Sequence, residues 1–229
     1  MRYDILLFDA DDTLFDFTRS ERAAITDVLN KSGIPATEST IGLYSKINIA
    51  LWKKLEKGEI TKGELTVRRF EQLLETMGLQ GDAAEMNRRY LSKLRECSFL
   101  KDGAEELCKA LYGKCRLFII TNGLTDVQKN RLKLSGLDKY IEKAFISEEI
   151  GFQKPQTGFF DCVFDYLGDV DKGRILVIGD SVTSDIAGGI NSGLDTCLID
   201  PQNNYPEFKK CNYKIKNLSE IILILSQAA

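Results

Sequence analysis

Two aspartates one residue apart, Asp9 and Asp11, follow the apolar run Leu6-Leu7-Phe8, and Thr13-Leu14 closes the stretch. Carboxylates so spaced can divide the work of a reaction, one ionised and nucleophilic, the other holding and moving a proton. Crowding them is costly, because like charges at contact repel by ~4 kcal/mol at an effective dielectric of about 20. A bound Mg²⁺, a hard cation that prefers oxygen ligands, would remove that cost. The competing explanation is an Asp-rich turn or helix N-cap after a strand, a common use of Asp.

Three later stations bear on the choice. Ile119-Ile120 runs into Thr121-Asn122-Gly123, where a hydroxyl and backbone N–H groups at a strand-to-helix turn can cradle a phosphate. An N-capped helix start has the same appearance. In Gly151-Phe152-Gln153-Lys154-Pro155 a lysine stands where a helix begins, a place its dipole disfavours for a cation, so Lys154 is expected to pair with an anion or with the nucleophile. Ile175 to Ile178 leads to Gly179-Asp180-Ser181, with Asp185 beyond. Asp180 would be a third carboxylate at one edge, a severe cluster without a divalent metal. For Asp180 the alternative is an N-cap; for Asp185 it is an ion pair or support behind the metal. The chain has no histidine, which excludes Ser-His-Asp and Cys-His nucleophile systems and His-bound metals.

These residues need strands to carry them. Tyr3 to Phe8, Arg116 to Ile120, Ala144 to Ile146, Ile175 to Ile178 and Thr196 to Ile199 read as short apolar strands. Helices are expected between them, at Thr125 to Ser135, within Pro155 to Leu167 and at Asp185 to Asn191, with Asp102 and Glu105 capping one more. Apolar strands alternating with helices predict an α/β fold, a parallel sheet covered on both faces. From Asp16 to about Phe99 only helix signals occur. Thr18 with Glu21, Thr61 with Glu64 and Asp82 with Glu85 have capping-box spacing, a further helix runs from about Ser39 to Lys57, and Gly58 and Gly78 are stops. This is a compact helical insertion. Residues 16–99 are therefore expected as a cap domain and residues 1–15 with 100–229 as the core.

Composition is that of an ordinary globular protein, with 229 residues, 43% hydrophobic, 28% charged and a net charge of −3. No basic stripe suits a nucleic-acid polymer, no apolar run approaches a membrane span of ~20 residues, and the start of the chain has no signal-peptide pattern. The C-terminal Ile221 to Leu225 run suits a short docking helix or strand. The six cysteines lack metal-binding spacing. A reducing, cytoplasmic location is expected, with the protein a monomer or weak dimer.

The stations in this order resemble the haloacid dehalogenase superfamily of phosphotransferases along the whole chain. Asp9-x-Asp11-x-Thr13 is similar to its first motif, Thr121 to its second, Lys154-Pro155 to its third, and Gly179-Asp180 with Asp185 to its fourth. Asp12 departs from the pattern, standing where many members carry Gly. Among these, the chain more closely resembles the bacterial house-cleaning pyrimidine 5′-nucleotidases, through its Asp-Ala-Asp-acidic-Thr-Leu-Phe start, Asn48, Leu51-Trp52, Gly58, Arg69-Phe70, Ser147-Glu148-Glu149-Ile150-Gly151 and the Gly188 to Gly193 stretch.

The resemblance implies a doubly wound parallel sheet, a Rossmann-like core with an inserted helical cap. It implies a Mg²⁺-dependent phosphomonoesterase. Asp9 would be the nucleophile, Asp11 the acid and base, and Lys154 the counter-charge. Thr121 and Asn122 would hold the phosphoryl group. Mg²⁺ would be bound by Asp9, the Asp11 carbonyl and Asp180, with Asp185 behind. Asn48, Trp52 and Arg69 of the cap would meet a nucleotide's base, sugar or phosphate. Sugar phosphates as substrates, a β-phosphoglucomutase-like transfer, and a receiver-type signalling domain remain open. A dehalogenase needs no acid or base at Asp11, which argues against that chemistry.

Overall fold

The computed structural model describes residues 2–227. Residue 1 and residues 228–229, the outermost positions of the expected core, lie outside the described residues. Six strands form one sheet: β1 Ile5–Phe8, β2 Arg116–Thr121, β3 Lys143–Ile146, β4 Ile175–Gly179, β5 Asp195–Ile199 and β6 Tyr213–Ile215. Their order is β3-β2-β1-β4-β5-β6 and every pairing is parallel. The chain winds outward from β1 in one direction and then, after β3, in the other. The reversal falls between β1 and β4, the crevice where open α/β sheets place their ligands.

The central strands β1, β2 and β4 are mostly apolar because both faces of the sheet are covered there. Leu6, Phe8, Leu117, Ile119, Leu176 and Ile178 pack on one face, with α5 (Ala104–Leu111) and α10 (Glu220–Gln227). The alternate residues Ile5, Leu7, Phe118, Ile120, Ile175 and Val177 pack on the other, against Phe159, Phe160, Val163 and Leu167 of α8 (Thr157–Leu167). The period-two alternation of a strand thus serves two cores at once. The remaining core helices are α6 (Thr125–Ser135), the single turn α7 (Ser147–Ile150) and α9 (Ala187–Asn191).

The chain divides into two compact units, Met1–Phe17 with Ser98–Ala229, and Thr18–Cys97. At the crossing, Phe15 and Leu100 form an antiparallel bridge, flanked by Asp16 N–H to Phe99 O and Lys101 N–H to Leu14 O, each 2.9 Å. The second unit comprises most of α1 (Phe17–Lys31) with α2 (Glu38–Glu56), α3 (Lys62–Met77) and α4 (Ala83–Glu96). Thr61 and Glu64 close a reciprocal capping box on α3, and Gly78 ends that helix in the left-handed conformation, as the spacing predicts.

Two helices begin elsewhere than the cap spacing predicts. α1 already begins at Phe17, so Thr18 lies inside it, and the Glu21 carboxylate instead accepts from Ser45 Oγ (2.6 Å) and Asn48 Nδ2 (2.7 Å). Gly103, not Asp102, precedes α5. β6 escapes a search for apolar runs, having three residues with Lys214 exposed at its centre.

Candidate active site

The strand register brings the polar stations to one edge. Phe8 pairs with Ile119 on one side and Ile178 on the other, so the residues after β1, β2 and β4 emerge side by side. Asp9 follows β1 and is held by its N–H to Ile178 O at 2.8 Å. Thr121 ends β2, and Asp180 follows β4.

Lys154 joins them from the loop before α8. Its Nζ donates to Asp9 Oδ1 (2.7 Å), Asp185 Oδ1 (2.6 Å) and Ile120 O (2.7 Å), which uses all three ammonium donors. The side chain is 1% exposed. Burial alone would lower the Lys154 ammonium; Asp185 and Asp9 outweigh it and hold it above its ordinary value. Asn122 fixes the lysine's main chain from both sides, donating Nδ2 to Lys154 O (2.9 Å) and accepting Lys154 N–H at Oδ1 (2.8 Å). The side chain of Asn122 thus positions the cation. Thr121 Oγ1, also buried, accepts from Gly123 N–H (3.0 Å) and Gln128 Nε2 (3.2 Å).

Asp185 reaches the cluster from a π-helical turn, Val182–Ile186, a wide turn common at functional sites. Ser181, rather than Asp180, caps that turn through Ser184 N–H. The second oxygen of Asp185 accepts Ser181 N–H at 3.1 Å. This carboxylate folds back over Gly179, where any Cβ would overlap it.

Carboxylate oxygens of Asp9, Asp180 and Asp185 lie within 4.8 Å of one another. Fully ionised, three acids against one ammonium would leave two negative charges in excess. Burial, reinforced by Asp185 and then Asp12, pushes Asp180 up to about 8. Burial also raises Asp9, with Lys154 pulling against it and Asp185 and Asp180 adding to it. An all-oxygen donor set with this surplus suits a hard divalent cation.

Asp11 is held from α6. Its Oδ2 accepts from Gln128 Nε2 (2.6 Å) and its Oδ1 from Arg131 Nη1 (2.5 Å), both on α6. Sequence reading missed this pair. The available signal was the thin apolar face of α6, which presents Gln128 and Arg131 beside Val127 on its buried side. Asp12 adopts φ +59°, a left-handed conformation that Gly takes freely and Asp tolerates, and its carboxylate meets Lys101 at 3.1 Å.

The three cap residues lie inside the helical unit. Arg69, 3% exposed, donates Nη2 to Asn87 Oδ1 (2.8 Å) and lies 4.3 Å over the Tyr90 ring. Its Nη1 reaches Asn48 Oδ1 at 3.4 Å, and Asn48 in turn donates to Glu21. Trp52 is half-buried against the Leu51, Leu55, Ile60 and Leu65 cluster. Asn48 and Arg69 share one polar network; Trp52 belongs to a separate apolar one.

The chain is similar to known proteins along most of its length. The profile of haloacid dehalogenase-like hydrolases matches residues 3–193. The HAD-hydrolase YfnB of Bacillus subtilis is 39% identical over 98% of this chain and 96% of its own, and its magnesium-bound crystal structure superposes with a TM-score of 0.92 at 38% identity, covering 99% of this chain and 100% of that one. The pyrimidine 5′-nucleotidase PynA of Streptococcus pneumoniae is 37% identical over 89% of this chain and 86% of its own. The pyrimidine 5′-nucleotidase YjjG of Escherichia coli is 32% identical over 98% and 99%, respectively.

Proposed function

Because the chain belongs to the haloacid dehalogenase-like hydrolases, we propose that it is a Mg²⁺-dependent 5′-nucleotidase for pyrimidine nucleoside monophosphates. The observation that carries the phosphatase chemistry is Lys154 locked between Asp9 and Asp185, with Asp180 alongside, at the reversal point of the sheet. The substrate class rests on the two nucleotidase relatives, which align along at least 86% of their own lengths.

In this reading Asp9 attacks the phosphorus. An Asp9 oxygen-to-phosphorus bond forms as the bond to the nucleoside 5′-oxygen breaks, and Asp11 gives that oxygen its proton. Asp11 then takes a proton from water as the water attacks the aspartyl phosphate, which frees phosphate and restores the Asp9 carboxylate. Lys154 orients Asp9 and offsets charge on the transferring group. The Thr121 hydroxyl binds a phosphoryl oxygen, and Asn122 supports it by fixing Lys154. Asp9, the Asp11 carbonyl and Asp180 would hold Mg²⁺, with Asp185 holding Lys154 from behind. The metal would supply positive charge to the phosphoryl oxygens.

The helical unit is assigned the choice of substrate. Asn48 and Arg69 act there by fixing α2 against α3 and α4, and Trp52 by shaping α2.

Phosphate release from nucleoside monophosphates and sugar phosphates, with Mg²⁺ and with EDTA, tests the reading. Preferred Mg²⁺-dependent hydrolysis of UMP, dUMP or dTMP is expected. Preference for sugar phosphates would overturn the nucleotidase assignment and leave the core chemistry. No release from any ester would overturn both.

A further inference from the structure

We propose that Gln128 and Arg131 are positioning residues for Asp11, setting the direction in which its carboxyl meets the leaving oxygen. This rests on the phosphatase reading above. Asp11 is gripped at both oxygens, by Gln128 Nε2 at 2.6 Å and Arg131 Nη1 at 2.5 Å, from residues more than a hundred positions along the chain. Two donors from one helix fix both the place and the plane of a carboxyl group.

Each donor is itself held. Gln128 is buried and also donates to Thr121 Oγ1 at 3.2 Å, so one amide spans the acid–base residue and the hydroxyl assigned to the phosphoryl group. It lies across Gly123, where a Cβ would stand 2.8 Å from Gln128 Cγ. The glycine thus admits the amide. Arg131 has no solvent exposure and rests on aromatic rings of the crossing segment, 4.6 Å from the Phe15 centroid and 6.0 Å from that of Phe17. Burying a guanidinium is expensive without a carboxylate in good geometry, and Asp11 supplies one. An ordinary surface ion pair would have neither the burial nor the second donor.

The chemistry offers a readout that a merely structural role would not move. A nucleoside 5′-oxygen leaves poorly unless protonated, whereas p-nitrophenolate leaves as a stable anion. A misdirected Asp11 therefore penalises the nucleotide more than the aryl ester. The experiment compares kcat/KM for UMP and p-nitrophenyl phosphate, with Mg²⁺, in wild type, Gln128→Met, Arg131→Lys and Asp11→Asn. Met fills the glutamine's volume without a donor, and Lys keeps charge in the buried position.

Gln128→Met and Arg131→Lys are expected to lose on the order of 10²-fold on the nucleotide, the scale of a 1 Å misplacement, and far less on the aryl ester, where Gln128→Met keeps only the smaller loss that comes from releasing Thr121 Oγ1. In the Asp11→Asn background the Gln128→Met penalty on the nucleotide should fall to that smaller loss, because the two act as a unit. Equal losses on both esters, no loss, or full additivity with Asp11→Asn would overturn the positioning role while wild-type hydrolysis upheld the phosphatase. A wild type inert toward both esters would overturn the phosphatase reading and this proposal together.

Discussion

Lys154 Nζ lies 2.6 Å from Asp185 Oδ1, and both side chains are 1% exposed. The ion pair is buried, and the same ammonium also bonds Asp9 Oδ1 at 2.7 Å. Removing the cation would leave two buried carboxylates without their shared partner. Lys154→Met is therefore expected to destabilise the fold by about 3–5 kcal/mol and to lower turnover by roughly 10²–10³-fold. Urea unfolding and phosphate release read the two effects. A variant as stable and active as wild type would remove the lysine from both roles.

Asp180 gives the pH dependence a definite sign. Its carboxyl is raised from 3.8 to about 8, first by burial and then by Asp185 and Asp12. A group that holds its proton more tightly when folded contributes stability that is complete below its unfolded value and lost as pH rises through its folded one. The metal-free protein should therefore lose thermal stability between about pH 4 and about pH 8. Mg²⁺ competes with that proton, so the gain in Tm on adding Mg²⁺ is expected to grow across the same window. Thermal melts in EDTA and in Mg²⁺ at both ends provide the check. A gain independent of pH would take Asp180 out of the proposed ligand set.

Gly179 is needed because the Asp185 carboxylate occupies the space of a Cβ. In Gly179→Ala the carboxylate must move, and Ser181 N–H and Lys154 lose a partner with it. A cost of about 1–3 kcal/mol is expected from the overlap, together with a smaller Mg²⁺-induced rise in Tm. Unchanged melting with and without the metal would show that Asp185 has other room.

Arg69 links α2, α3 and α4 of the helical unit through Asn48 and Asn87. Arg69→Ala leaves buried acceptors without a donor, at roughly 1–3 kcal/mol each. The variant is expected to melt earlier and still to hydrolyse p-nitrophenyl phosphate. Unaltered stability with a changed preference among nucleotides would instead give Arg69 a direct hold on the substrate.

Much of the scaffold was legible because its signals are local. Apolar runs of strand length, each ending in a polar residue, mark β1, β2 and β4 together with Asp9, Thr121 and Asp180. The capping box of Thr61 and Glu64 and the left-handed Gly78 are settled within a few residues of themselves. Thr18 with Glu21 has the same spacing, but α1 already begins at Phe17, and Glu21 accepts from Ser45 and Asn48 on the next helix.

The types of group at the site, its hard-oxygen chemistry and the alternation of strand and helix are determined by the sequence alone, since residue identity and local spacing carry them. The tertiary structure decided which strands are neighbours, which oxygen of Asp185 meets Lys154, and that Asp11 turns toward Gln128 and Arg131. Those outcomes join residues 31 to 120 positions apart. Their energies depend on desolvation and on a direction in space, and neither exists until the sheet has closed around them.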